Sequence, residues 1–246
     1  MWGIIPAAGA GSRIQPLAFS KELLPVGSRM EGDIERPKAV SEYLVERMIT
    51  GGAGKICFVI SPGKSDIMEY YGSGIGEARF CYTVQTSPKG LCDAIFSART
   101  VIDERESVII GLPDTVWFPS EGLAYLPDDI LSFLLFPVEH PEFFDAVETD
   151  SLGFVKQIRV KQSEVKTRWI WGAFKMPGKI FIELFELWKS RNCSDEYMGS
   201  LVNAFIENGG RARGIRLGQS YVDVGTLNGY REAIKLLLAH RRLQAG

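Results

Sequence analysis

Histidine is scarce in this chain, with two residues in 246 (His140 and His240). Four cysteines (Cys57, Cys81, Cys92 and Cys193) are scattered without a CxxC pair. A zinc cluster or a disulfide scaffold therefore lacks ligands at usable spacing, and the thiols read as reduced. A histidine-based hydrolase is hard to assemble, and a cysteine nucleophile has no evident base. Long apolar runs are missing too: "ILSFLLFPV" (130–138) falls far short of the roughly 20 residues that cross a bilayer. No positively charged leader opens the chain. The formal net charge is −2, so no large basic face is expected. The basic tail "HRRLQ" (240–244) suits the negative end of a terminal helix. These absences predict a cytoplasmic protein with no nucleic-acid or membrane partner.

What is present is ordinary in amount and ordered in pattern. Hydrophobic residues make up 46% of the chain and charged ones 24%, and the length suits one α/β domain. Near-continuous apolar pulses at 2–6, 55–61, 79–85 and 107–112 alternate with helical periods at 38–50, 64–71 and 91–102. Such strands belong to a parallel sheet covered on both faces, whose ligands gather at the carboxyl ends of the strands. The second half is richer in strands (130–138, 146–150, 154–161, 168–176). Helices are expected at 178–190, 195–208 and 226–242, and "YVDVG" (221–225) precedes the last. The charged "GSRMEGDIE" (27–35) reads as a surface loop or hairpin. The expected fold is α/β, a Rossmann-like three-layer αβα arrangement with a mixed, mostly parallel central sheet.

The first pulse runs into "AAGAGSRIQPLAFSKELLPVG" (7–27). A glycine turn after a strand lets main-chain N–H groups approach a phosphate closely. The turn lacks the GK[ST] ending of a P-loop and the third glycine of a dinucleotide site, and a tight structural turn accounts for "GAGS" taken alone. Arg13 and Lys21 add what a turn does not need, two cations beside bare backbone, and together they suit a polyphosphate. Phosphoryl chemistry then needs a divalent ion and carboxylates at strand ends. Asp114 follows "VIIGLP" and Asp223 sits in "YVDVG".

At this point the chain resembles the sugar-1-phosphate nucleotidylyltransferases, and among them the glucose-1-phosphate thymidylyltransferase type. "IIPAAGAGSRIQPLAFSKELLPV" keeps Gly9, Gly11, Arg13, Pro16, Lys21, Leu24 and Pro25 of that family's opening motif. The resemblance implies a nucleotide site of Ala8, Gly9, Gly11, Arg13, Gln85, Gly90 and Asp114. It implies Arg13, Lys21 and Lys161 as catalytic residues, and Mg²⁺ held by Asp114 and Asp223. Acceptor contacts would come from Asp145, Glu148, Lys161, Trp171 and Gly172. The substrates implied are an NTP, dTTP or UTP by the resemblance, and a sugar 1-phosphate. Residues 1–246 then form a single nucleotidyltransferase domain, with a nucleotide-binding portion at 1–128 and a sugar-phosphate portion with C-terminal helices at 129–246. A homo-oligomer is left open.

The sugar wall departs from the family pattern. Asp145 stands where G-V-V-E has glycine, E-K-P becomes Val160–Lys161–Gln162, and the T-G pair becomes Trp171–Gly172. Val160 cannot accept from a hydroxyl, and a tryptophan offers a flat face for a ring. A preferred acceptor other than plain glucose 1-phosphate is therefore expected, with Val160→Glu moving preference back towards it. A non-catalytic nucleotide- or sugar-nucleotide-binding module on the same fold is the alternative. A dehydrogenase is a third reading, but Glu31 and Asp33, at the right distance for a ribose contact, have no strand before them.

Overall fold

The computed structural model describes residues 1–87 and 89–245, the side chains of 243–245 excepted. Pro88, between Gln85 and Gly90, and the side chains of Leu243 and Gln244, within the basic tail, lie outside the described residues.

The first half alternates as its periodicity requires. Strand β1 (Trp2–Pro6) leads through the glycine loop into the hairpin β2 (Pro25–Glu31) and β3 (Ile34–Ala39), then helix α1 (Val40–Thr50). Then come β4 (Lys55–Ile60), α2 (Ser65–Tyr71), the short β5 (Gly74–Ile75), β6 (Ala78–Val84), α3 (Leu91–Phe96) and β7 (Val108–Gly111). Helix α3 is shorter than its pattern suggests and passes into a 3-10 turn at Arg99–Val101. The Ser97 hydroxyl bonds back to the Asp93 carbonyl at 2.8 Å, and a serine in that role competes with helix continuation.

The second half comprises β8 (Thr115–Phe118), β9 (Leu131–Pro137), β10 (Asp145–Thr149), β11 (Val155–Val160) and β12 (Trp169–Met176). Helices α4 (Gly178–Ser190) and α5 (Met198–Glu207), strands β13 (Ala212–Ile215) and β14 (Ser220–Asp223), and α6 (Leu227–Ala245) complete it.

The main sheet runs β11-β10-β12-β7-β1-β4-β6-β5, with β9 against β12 and β13 against β9. Strands β7, β1, β4 and β6 are mutually parallel, whereas β12 pairs antiparallel with β7 and β10 with β11. Alternation along each strand divides the core into two layers. Ile4, Val59, Ile110 and Phe133 face α3, α4 and α5, while Ile5, Phe58, Ile109 and Leu134 face α1 and α2. Helix α6 packs on a third cluster with Leu24, Val26, Val116 and Val224. Strand β1 therefore has its sequence successors β4 and β6 on one side and β7 on the other. Open α/β sheets place ligands in a crevice at the carboxyl edge of such a point, and it is there that the loops after β1 and β7 meet through Lys21 and Asp114. Among the described residues no helix is long and apolar enough to cross a membrane.

Candidate active site

The glycine loop is anchored at both ends. Where β1 stops, the Ala7 N–H donates to Val59 O at 2.7 Å and the Lys64 Nζ donates to Ala7 O at 2.7 Å. At the far end Ser20 is held by Asp66, which accepts from its N–H and its hydroxyl at 2.6 Å each. Glu22 receives Lys64 Nζ on both carboxylate oxygens at 2.8 Å. Lys21 lies between these two fixed neighbours, so its backbone has little freedom. Gly11 completes the arrangement: φ is +66°, and a Cβ there would sit 2.7 Å from Lys21 Cδ. The lysine stem runs across bare backbone, which only glycine permits. Gly11→Ala is expected to push Lys21 off its partner and cut turnover about tenfold or more, as a displaced charge-assisted contact should. Pyrophosphate release and thermal unfolding, measured side by side, check that the loss is local.

That partner is Asp114, whose Oδ2 accepts from Lys21 Nζ. Burial pulls the Lys21 pKa down, but Asp114, then Glu22 and Asp223, outweigh it and leave it raised, so the ammonium stays charged. Arg13 reaches Asp223 at 3.2 Å with its guanidinium 63% exposed. A Cβ at Gly225 would lie 2.7 Å from Asp223 Oδ1 and 2.8 Å from Arg13, so the D-x-G glycine makes room for this pair. Strands β8 and β14 form a ribbon in which Asp223 lies opposite Thr115, and the Val224 N–H donates to Asp114 O at 2.8 Å. The two aspartates thus leave one end of one ribbon, each against a loop cation. Tyr221 sits behind them. Burial drives its phenol well up, and Asp223, Asp114 and Asp145 all add to that, which brings Asp145 into the same field.

Of the residues expected to contact the acceptor, Lys161 directly follows β11 at φ +45°, a left-handed conformation that a lysine rarely adopts and that clusters at functional sites. Its Nζ rests 4.5 Å from the Tyr197 ring centroid. Asp145 stands directly opposite Val160 in the β10–β11 ladder and is a half-buried strand residue. Burial lifts its carboxyl to about 6, against the opposing pull of Trp171 and Lys161. Glu148 lies on the other face of the ladder, bound to Arg159 at 3.1 Å, and is not brought to this group. Gly172 occupies a register shift in β12, where a Cβ would strike Phe136 at 2.6 Å and Tyr221 at 2.7 Å.

The stretch that carries Gln85 and Gly90, expected in the nucleotide site, is tightly packed. The buried Gln85 side chain donates to Asp93 at 2.5 Å. Gly90 has φ +94°, and a Cβ there would meet Glu196 backbone at 2.7 Å. Glu196 O in turn accepts from Leu91 and Cys92 at 2.7 and 3.2 Å. Neither histidine joins the site: His140 contacts Glu142 and His240 stacks on Phe118. A cavity of about 690 Å³ between α1, β2 and α6 is lined by none of the candidate catalytic, nucleotide, acceptor or metal residues.

Residues 2–240 match the family of nucleotidyl transferases. The chain belongs to that family. It is 25% identical over 248 residues to a glucose-1-phosphate thymidylyltransferase of Mycolicibacterium smegmatis, covering 95% of this chain and 81% of the relative. A UTP–glucose-1-phosphate uridylyltransferase of Bacillus subtilis is 30% identical over 151 residues, 51% of this chain and 48% of the relative. Among solved structures, a UDP-glucose pyrophosphorylase complexed with UDP-glucose superimposes with a TM-score of 0.77 at 19% identity, covering 97% of this chain and 98% of that one.

In this nucleotidyl transferase the residues that sequence reasoning missed are those that set Lys21 in place: Ser20, Glu22, Lys64 and Asp66. The clue is a glutamate directly beside the lysine, inside the apolar run of "FSKELLPV". Glu22 is 1% exposed and Lys64 9%, so truncating one partner leaves an uncompensated buried charge. Lys64→Met is expected to cost about 3–5 kcal/mol of stability, read as a lowered denaturant midpoint. Glu22→Gln in the same background should recover part of that loss.

Proposed function

We propose that this chain transfers a nucleotidyl group from a pyrimidine nucleoside triphosphate, dTTP or UTP, to a sugar 1-phosphate, giving an NDP-sugar and pyrophosphate. The observation that carries this reading is the pairing of Lys21 with Asp114 and of Arg13 with Asp223, which ties the glycine loop after β1 to the loop after β7 and to the end of β14. In this reading the N–H groups of Ala8, Gly9 and Gly11 face the phosphates. Gly9 has open space around it, so a phosphate can come close to its backbone. Arg13 and Lys21 neutralise the α-phosphate and the departing pyrophosphate. Lys161 swings from the Tyr197 ring to align the acceptor phosphate, whose oxygen attacks the α-phosphorus while the bond to pyrophosphate breaks. The nucleophile is already an anion, so no general base is needed, and positioning with charge stabilisation carries the rate.

Asp114 and Asp223 would hold Mg²⁺, which when bound supplies charge neutralisation at the triphosphate. The donor set fits that ion. Among the described residues no group of three or more His, Cys, Asp or Glu side chains forms a metal cage. Mg²⁺ characteristically takes one or two carboxylates and completes its shell with substrate phosphates and water.

The test is pyrophosphate release over a matrix of dTTP, UTP, CTP, ATP and GTP against sugar 1-phosphates. Release with a pyrimidine nucleotide and at least one sugar 1-phosphate is expected. Nucleotide binding without release from any pair overturns the reading in favour of a binding module.

A further inference from the structure

Trp171 does not offer its ring face to a ligand. The ring is 6% exposed, with Phe174 edge-on at 5.4 Å and Phe133 at 6.4 Å. What it offers is an edge. Its Nε1 is buried and has no hydrogen-bond partner among the described residues. A buried donor without an acceptor is destabilising, and in native proteins it calls for an explanation such as a ligand. Ala146 pairs with Ile170 across the antiparallel β10–β12 ladder, so Asp145 and Trp171 are neighbours on the same face, and the indole N–H acts to lower that carboxyl's pKa. The acceptor side therefore holds a buried donor and a half-buried carboxylate side by side on one face.

The register supplies the second observation. Asp145 and Val160 are directly opposed across the antiparallel β10–β11 ladder. Directly opposed side chains lie on one face with Cβ atoms about 4.5–5.5 Å apart. A Cβ on Gly199, at the start of α5, would lie 2.8 Å from Val160 Cγ2 and 3.2 Å from Asp145 Oδ2, so the helix closes on both residues. The carboxylate absent from 160 is thus replaced on the same face by one rooted on the neighbouring strand.

Resting on the nucleotidyl-transfer reading above, we propose that Asp145 and the Trp171 N–H are the specificity pair of the acceptor pocket, and that they read one ring hydroxyl of a neutral sugar 1-phosphate. A hydroxyl oxygen accepts from an indole N–H and donates to a carboxylate through the same atom. A deoxy sugar would leave both partners unsatisfied, which is how a polar site rejects an analogue far more strongly than an apolar one does. The hydroxyl read is the one turned towards β10 rather than β11. It follows that Val160→Glu alone does not restore a glucose-type wall, because it sets a second carboxylate directly against Asp145. The exchange needs Asp145→Gly together with Val160→Glu.

The experiment compares kcat/KM for glucose, galactose and mannose 1-phosphates, for their singly deoxygenated forms, and for N-acetylglucosamine 1-phosphate. It uses the wild type, Asp145→Asn, Trp171→Phe and the Asp145→Gly/Val160→Glu double variant. In the wild type one deoxygenation should cost about 10²-fold or more, and that penalty should shrink to a few-fold in both single variants. Binding of dTTP or UTP should be unchanged. The double variant should transfer the penalty to a different hydroxyl. Asp145 faces Lys161, Trp171, Tyr221 and Cys92, and with its carboxyl near 6 the wild-type penalty should weaken below that pH while Asp145→Asn stays flat. A penalty of equal size in wild type, Asp145→Asn and Trp171→Phe overturns the pair while leaving nucleotidyl transfer standing. Absence of turnover with every acceptor in the wild type overturns the transfer reading and this one with it.

Discussion

Asp114→Asn and Asp223→Asn are each expected to lower metal-dependent kcat by about 10²–10³-fold, the scale on which removing one preorganised electrostatic group acts. The double variant should be scarcely slower than either single. The two carboxylates leave the same end of the β8–β14 ribbon, tied by the bond from Val224 N–H to Asp114 O at 2.8 Å, and both act on Lys21. Residues that act as a unit lose their function together, so the second substitution has little left to remove. The asparagines keep the shape and remove only the charge. A further consequence separates them. Burial pulls the Lys21 pKa down, and Asp114 is the first of the groups that reverse it. Without that carboxylate the ammonium is lost at lower pH, so residual activity in Asp114→Asn should fail earlier on the alkaline side than in Asp223→Asn. The measurement is kcat against Mg²⁺ concentration and pH for the three variants. Fully multiplicative losses would show that the aspartates serve separate sites.

How much of this is legible in the sequence follows from how local each feature is. The apolar pulses of β1, β4 and β7 announce their strands because both faces are buried and no other placement satisfies them. The sheet also brings to one edge the loops after β1 and β7, and with them Arg13, Lys21 and Asp114. Strand β8 carries no such signal. Four residues ending at a proline form a strand only because β14 pairs with them from about 100 residues away, and pairing at that distance leaves no local trace. The support of Lys21 is hidden for the same reason, since Lys64 and Asp66 are distant in sequence from Ser20 and Glu22. Glu148 and Asp145 look equivalent in "DAVET", yet the period of two sends them to opposite faces, and only a known core side tells which is which. In sequence Trp171 reads as a stacking surface or, since it shares a strand face with Trp169, simply as core. That the ring is core and only its N–H is unsatisfied becomes visible once Phe133 and Phe174 are in place.

Arg13→Ala and Lys21→Met are both expected to abolish most pyrophosphate release, and their stabilities are expected to part company. Each residue makes a charge-assisted contact worth about 1.5–3 kcal/mol where water is excluded. Removing one such grip on the triphosphate in the transition state slows the reaction roughly ten- to hundredfold. In the free protein the two cations differ in setting. Arg13 is 63% exposed, and its pair with Asp223 is a surface one, so deleting it should change the unfolding free energy by less than about 1 kcal/mol. Lys21 and Asp114 are each only 14% exposed, so Lys21→Met strands a carboxylate in a largely dry site and should lower the thermal midpoint measurably. Arg13→Lys should restore only part of the activity, because an ammonium keeps the charge but not the planar fork that grips two phosphate oxygens at once. Single-turnover rates and unfolding curves on the same preparations make the comparison. If Arg13→Ala keeps wild-type release, the triphosphate does not lie where the glycine loop and Asp223 meet, and the proposed orientation of the nucleotide in the crevice is wrong.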